Sequence, residues 1–237
     1  MAYTIKLIKK ESAAENTTAF YFEKPQGFTY RAGQYCDFTL INPPETDSEG
    51  DKRTFSLSSA PYEPDLIITT RLRDTAFKRT LKNMPVGGEL HLEGPFGSLT
   101  LPKDTAKTAV FLTGGVGATL VRSMITQAVH DQSPQKILFL YSNRSPQDAI
   151  FLDEFTALAA QGSNITFVPT MTDVSGQEWT GEHGPITIAM LQKYLTDIPG
   201  AVYYLSGSGE MVGAMRRMLM AHDVDRTSIR SDLFVGY

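Results

Sequence analysis

The feature that most restricts how this chain folds is a change of hydrophobic period near Pro102. Before it come short runs rich in β-branched and aromatic residues: T-I-K-L-I-K-K, T-T-A-F-Y-F, Q-Y-C-D-F-T-L, R-T-F-S-L-S-S, D-L-I-I-T-T-R-L and E-L-H-L-E-G. Each is bounded by Gly, Pro or Asn-rich turns, the pattern of an antiparallel β-barrel. Residues 42–52, N-P-P-E-T-D-S-E-G-D-K, have turn composition and no periodic apolar face, and are expected to form an exposed loop. After Pro102, buried-strand runs such as A-V-F-L-T, K-I-L-F-L-Y, I-T-F-V-P-T and V-Y-Y-L-S alternate with helical stripes. Residues 119–131 place Leu120, Val121, Met124, Ile125 and Ala128 at helical spacing. Further helices are expected from Ser145-Pro146 through Phe155, over 188–195 and through Met211, Met215 and Leu219. Strands alternating with helices specify a parallel, doubly wound sheet, so the chain divides into residues 1–102 and 103–237.

Several classes of function fall away on composition. A net charge of −4 excludes the strongly basic face of a nucleic-acid protein. No apolar stretch reaches the length of a membrane span and the N-terminus lacks a signal-peptide run, so a cytoplasmic protein with no membrane partner is expected. The lone Cys36 cannot form an internal disulfide or ligate an iron–sulfur cluster. His91, His130, His183 and His222 are scattered without metal-ligand spacing, so no metal site is assigned. Ser56, Ser206 and Ser208 lack the context of a catalytic triad.

The chemistry is concentrated at a few junctions. T-G-G-V-G-A-T, with Gly114, Gly115, Gly117, Ala118 and Thr119, lets backbone amides approach a phosphate or ribose at a helix N-terminus, or else forms a tight turn with no ligand. A second small-residue junction, S-G-S-G-E-M, carries Ser206, Gly207 and Met211; together the two favour a crevice beyond the carboxyl ends of parallel strands. In Y-S-N-R-S-P, Arg144 is either a contact for the adenosine end of a nucleotide or a solvated surface arginine. In the first half, Arg71, Arg73, Lys78 and Arg79 cluster around Thr75, a residue suited to cap a helix, and form either an anion site or a solvated face. The segment R-T-F-S-L-S-S alternates Arg53, Phe55 and Leu57 with Thr54, Ser56 and Ser58, so neither face reads as pure core. Alone it is equally an edge strand with a solvated hydroxyl face.

Taken in order, R-T-F-S-L-S-S, G-E-L-H-L-E-G-P-F-G, T-G-G-V-G-A-T, Y-L-S-G-S-G-E-M and the aromatic ending F-V-G-Y resemble the ferredoxin NADP reductase superfamily over essentially the whole chain. The resemblance implies a Greek-key β-barrel that binds FAD and a Rossmann-like α/β unit that binds NADH or NADPH. It implies that Arg53 binds the FAD pyrophosphate, that Phe55 lies against the isoalloxazine or ribityl region, that Ser56 offers its hydroxyl to flavin N5, and that Thr54 is among the cofactor-binding residues. It places Thr70, Arg71, Phe77 and Lys78 in the second pyrophosphate-binding turn, with Lys78 where a Ser or Thr is usual. Two further departures are Leu120 in place of the Pro that commonly ends the glycine motif, and Ser206 in place of the Cys beside the nicotinamide. A C-terminal aromatic covers the flavin in many relatives; Phe234 fits that role best and Tyr237 is its rival.

The function implied is an NAD(P)H-dependent flavoprotein reductase passing electrons from the pyridine nucleotide through FAD to an electron-carrier protein such as a ferredoxin, flavodoxin or haem protein. Ser142 and Arg144 suit a 2′-phosphate, whereas Asp173 repels one, and the balance leans to NADH. Two alternatives differ in class: an electron-transfer subunit active only in a complex, and a reductase of free flavins or ferric chelates.

Overall fold

The computed structural model describes residues 2–162, 164–175 and 178–233. The first half contains strands β1 (Ala2–Ala14), β2 (Thr17–Glu23), β3 (Tyr35–Leu40), β4 (Lys52–Ser56), β5 (Asp65–Arg71) and β6 (Glu89–Phe96), with one helix, α1 (Ala76–Asn83). Their order is β4-β3-β6-β1-β2-β5, and every pairing is antiparallel. The two edges approach each other just past β4: the Ser58 amide donates to the Ile67 carbonyl at 2.7 Å and the Ser58 hydroxyl to Thr69 Oγ1 at 3.1 Å. The strands thus curl into the expected Greek-key barrel, filled by Phe20, Phe22, Phe38, Leu57, Ile68 and Leu90, none more than 1% exposed. Helix α1 starts where the sequence places its cap: Thr75 Oγ1 accepts from the Lys78 amide at 3.3 Å. It buries Phe77 and Leu81, one turn apart, against the barrel.

The second half contains β7 (Ala109–Gly114), α2 (Ala118–His130), β8 (Ile137–Asn143), α3 (Leu152–Gln161), β9 (Ile165–Met171), β10 (Glu182–His183), α4 (Ile188–Tyr194), β11 (Val202–Gly207), α5 (Gly209–Met220) and β12 (Ile229–Leu233). The sheet order is β10-β9-β8-β7-β11-β12, all parallel. One core layer lies under α2 and α3 and the other under α4 and α5, so helices cover both faces. The order reverses between β7 and β11, which puts the two small-residue turns side by side at the topological switch point. The helix expected from Ser145-Pro146 is interrupted: a 3-10 turn over Pro146–Asp148 precedes α3, and Phe151 stands between them in the left-handed region at φ +57°. Among the described residues no helix is long and apolar enough to cross a membrane.

The halves are held by Arg122 and Ser123 of α2. Arg122, 8% exposed, donates to the Ser58 carbonyl at 2.8 Å and to both oxygens of Glu63 at 2.9 and 3.0 Å, and pairs with Glu154 at 2.8 Å. The Ser123 hydroxyl donates to the Ser59 carbonyl at 2.6 Å. Ser59 also accepts the Ile67 amide on its own hydroxyl, beside Tyr30 Oη at 2.9 Å. The last two serines of R-T-F-S-L-S-S are therefore structural: their hydroxyls close the barrel and their carbonyls dock α2.

Candidate functional site

The motif's first half opens onto a cleft of about 390 Å³ between the barrel and the glycine turn after β7. Arg53, Thr54, Phe55 and Ser56 line it, with Thr70, Arg71 and Lys78 from β5 and α1 and Thr119 from α2. Phe55 packs its ring on Phe38 and Phe77 at 5.7 and 5.9 Å, which fixes an aromatic wall. Phe77 is fully buried beneath that wall and under the Arg53 guanidinium, 5.3 Å from its ring, so it supports the cleft without lining it. The Thr54 hydroxyl donates to the Asp37 carboxylate on β3.

At the cationic end, Arg53 pairs with Asp47 at 3.3 Å and Glu49 at 2.9 Å. Burial and the neighbouring charges of Arg73 and Arg53 pull the Lys78 ammonium down to about 8. At the other end, the Ser56 hydroxyl donates to Asp232 Oδ2 at 3.3 Å. Burial pushes the Asp232 carboxyl up, against the lowering effect of that bond. Sequence reasoning missed Asp232; its signal was position, because β12 pairs Asp232 with Ser206 of β11. Thr119 is 1% exposed and its hydroxyl has no hydrogen-bond partner among the described residues. Its place at the wall of the cleft leaves that hydroxyl able to bond a polar group entering there.

A second cleft of about 620 Å³ lies across the switch point and shares Arg71 and Arg73 with the first. Gly114, Gly115, Arg144 and Met211 line it together. Gly117, Ala118, Ser206 and Gly207 do not line it. The Ser206 hydroxyl donates to the Gly117 carbonyl at 2.9 Å and is buried there, so it ties the two turns together. A Cβ on Gly117 would lie 2.7 Å from the Ser206 carbonyl carbon and oxygen, which is why this crossing requires glycine. Ala118 is wholly buried in the helical core, as is Leu120 at the departure from the family's proline.

Arg144 projects outward, its side chain 71% exposed, and pairs loosely with Asp148 at 3.5 Å. Asp148 also faces Arg71 at 3.6 Å and accepts from the Ser145 hydroxyl at 2.7 Å. The Asp173 amide donates to the Arg144 carbonyl at 2.7 Å. Asn143 is a further residue that sequence reasoning missed. It lies in the same cleft, 6% exposed, and neither atom of its side-chain amide has a partner among the described residues. Its only sequence signal was its place between Ser142 and Arg144. Phe234 and Tyr237 lie outside the described residues.

Residues 111–217 match the oxidoreductase NAD-binding domain family. The chain is similar to the glycine betaine monooxygenase reductase subunit of Chromohalobacter salexigens, 27% identical over 97% of this chain and 62% of that protein. It is also similar to the NAD(P)H-flavin reductase of Aliivibrio fischeri, 26% identical over 91% of both chains. Its fold matches a ferredoxin NADP+ reductase from Neisseria gonorrhoeae with bound FAD and NADP, at a TM-score of 0.80, 20% identity and 98% coverage of both chains. The chain thus spans less than two thirds of the length of the glycine betaine monooxygenase reductase subunits it matches. The matched family thus covers most of the second half, and the two-sheet fold of the whole chain is similar to that of a ferredoxin NADP+ reductase.

Proposed function

We propose that this chain is an NAD(P)H-dependent flavoprotein reductase, with FAD in the barrel half, residues 1–102, and the pyridine nucleotide in residues 103–237. The observation that carries this reading is that the two clefts share Arg71 and Arg73 and meet at one glycine turn, whose Gly114 and Gly115 face one cleft while Val116 and Thr119 face the other. Two ligands seated there adjoin, as hydride transfer demands. A bound flavin supplies the redox chemistry, taking two electrons as hydride and releasing them together or singly.

The residues supply position and charge. Arg53, Lys78 and the first amides of α1 suit a pyrophosphate, since a guanidinium fork and helix N-terminal N–H groups both favour phosphate oxygens. Phe55 gives a planar ring system a flat wall. Ser56 holds a hydroxyl proton toward Asp232, and this pair forms a short path for a proton between cleft and protein. Asn143 and the glycine-turn amides suit the polar edges of a nucleotide.

Asp148 and Asp173 set carboxylates close to Arg144, offset its charge and oppose a 2′-phosphate, which favours NADH as donor. The acceptor in this reading is an electron-carrier protein: a ferredoxin, flavodoxin or haem protein. A second reading, reduction of free flavin, is favoured by the match over nine tenths of both chains to a protein described as an NAD(P)H-flavin reductase. Anaerobic stopped-flow mixing of FAD-reconstituted protein with NADH, and separately NADPH, tests the proposal. Rapid loss of flavin absorbance with NADH is expected, and no bleaching by either nucleotide would overturn it.

A further inference from the structure

The turn between β3 and β4 looks from its composition like a solvated loop, and its glutamates are exposed, yet its carboxylates engage the cationic end of the cleft. Asp47 Oδ2 accepts the Ala76 amide, the first of α1, at 2.9 Å, and Asp47 Oδ1 faces the Arg53 guanidinium at 3.3 Å. Glu49 adds a second carboxylate on Arg53 at 2.9 Å. Both Arg53 Nη1 bonds that reach into this turn end on its backbone, at the Glu49 and Gly50 carbonyls, 2.9 and 3.1 Å away. Glu45 anchors the turn from outside by a two-oxygen pair with Arg79 on α1. A carboxylate and a phosphate want the same things from a protein: a guanidinium fork and free N–H groups at a helix start. Asp47 holds both at once.

The site is not neutralised by this arrangement. Lys78 and Arg73 make no ion pair within 4 Å among the described residues, and the Thr119 hydroxyl on the opposite wall has no partner. Cations remain to reward an incoming anion, but the guanidinium and the helix amide must first be surrendered by the turn.

We propose that the 45–49 turn is a built-in counter-anion that competes with the pyrophosphate of FAD, so that the barrel holds FAD as an exchangeable ligand and discriminates little between FAD and flavins that lack the ADP portion. The inference rests on the flavin cleft proposed above and assigns to it the substrate class of free flavins. The competition follows population arithmetic: if the turn is docked most of the time, the apparent dissociation constant for FAD rises by the inverse of the undocked fraction, whereas riboflavin, which never reaches Arg53, is unaffected.

The test is fluorescence titration of the purified chain with FAD and with riboflavin, in the wild type, in Glu49→Gln and in Asp47→Asn/Glu49→Gln, with melting curves to verify folding. Asparagine at 47 still accepts the Ala76 amide, and the Glu49 side chain is 66% exposed, so Glu49→Gln keeps the test valid if the double variant folds poorly. The double variant is expected to bind FAD about tenfold more tightly and Glu49→Gln about threefold, a tenfold step being ~1.4 kcal/mol. Riboflavin affinity is expected to stay within about twofold. FAD affinity that is unchanged or weaker in folded variants, while riboflavin still binds, would overturn the counter-anion and leave the flavin cleft standing. Failure of every form to bind either flavin would overturn the cleft itself, and the inference with it.

Discussion

Replacing Arg122 by methionine probes the joint between the two halves. Methionine keeps an unbranched apolar stem but removes the guanidinium, which lies over the Phe151 ring, holds Glu63 and Glu154 by paired bonds and reaches the Ser58 carbonyl. Burial pushes the guanidinium's pKa down, but the bonds to both carboxylates push it up further and the net shift is upward, so the wild-type cation is firmly held. Its loss leaves Glu63, with a side chain 17% exposed, and Glu154, 34% exposed, without their counter-charge. Stranding a buried partner costs about 3 to 5 kcal/mol, and the partial exposure of Glu154 places this case near ~3 kcal/mol. For a chain of this size that corresponds to a fall in Tm of about 6 to 12 °C. Calorimetric or circular-dichroism melts read it directly. Arg122→Met/Glu63→Gln should recover about half of the loss, because one stranded charge is gone. A fall below about 2 °C, or no recovery in the double variant, would refute the reasoning.

Three other outcomes follow from the same geometry. Asp232 has a folded-state pKa raised by burial, so the folded protein binds its proton more tightly than the unfolded chain and loses stability as pH rises through the ordinary carboxylate range toward the raised value. Asp232→Asn should therefore melt higher than wild type at pH 7 and equally below about pH 4. Lys78, held at about 8, carries its charge below that pH and loses it above, so FAD affinity should fall severalfold between pH 7 and pH 9; Lys78→Thr should bind more weakly at pH 7 and titrate flat. Arg144→Ala should change kcat/KM for NADPH severalfold while leaving that for NADH nearly intact, and equal losses with both would reject a phosphate-specific role.

The architecture was legible because its signals are local. The period change at Pro102, the Thr75 cap and the two small-residue turns each depend on residues adjacent in sequence. What stayed hidden depends on partners far along the chain. Arg122 lies within an apolar helical stripe, and its carboxylate partners are 59 and 32 residues away. Residues 42–52 have the composition of a loop, and nothing local tells that Asp47 reaches Ala76, 29 residues on. Ser206 was legible as a departure from the family pattern, whereas its bond to the Gly117 carbonyl follows only from the sheet order. The interruption at Phe151 was missed because Ser145-Pro146 reads as a helix start whether or not the helix continues.

The strand that carries Ser56 ends there, and the chain passes directly to Ser58 and Ser59, whose carbonyls are gripped by the helix that begins at the glycine turn. The two ligand seats are thus joined by two peptide units, two hydrogen bonds and one helical turn. Their separation is settled when the chain folds rather than when a ligand arrives. On the proposed reading, hydride transfer should need no closing stroke between the halves, and its rate should be unchanged when the viscosity of the medium is raised.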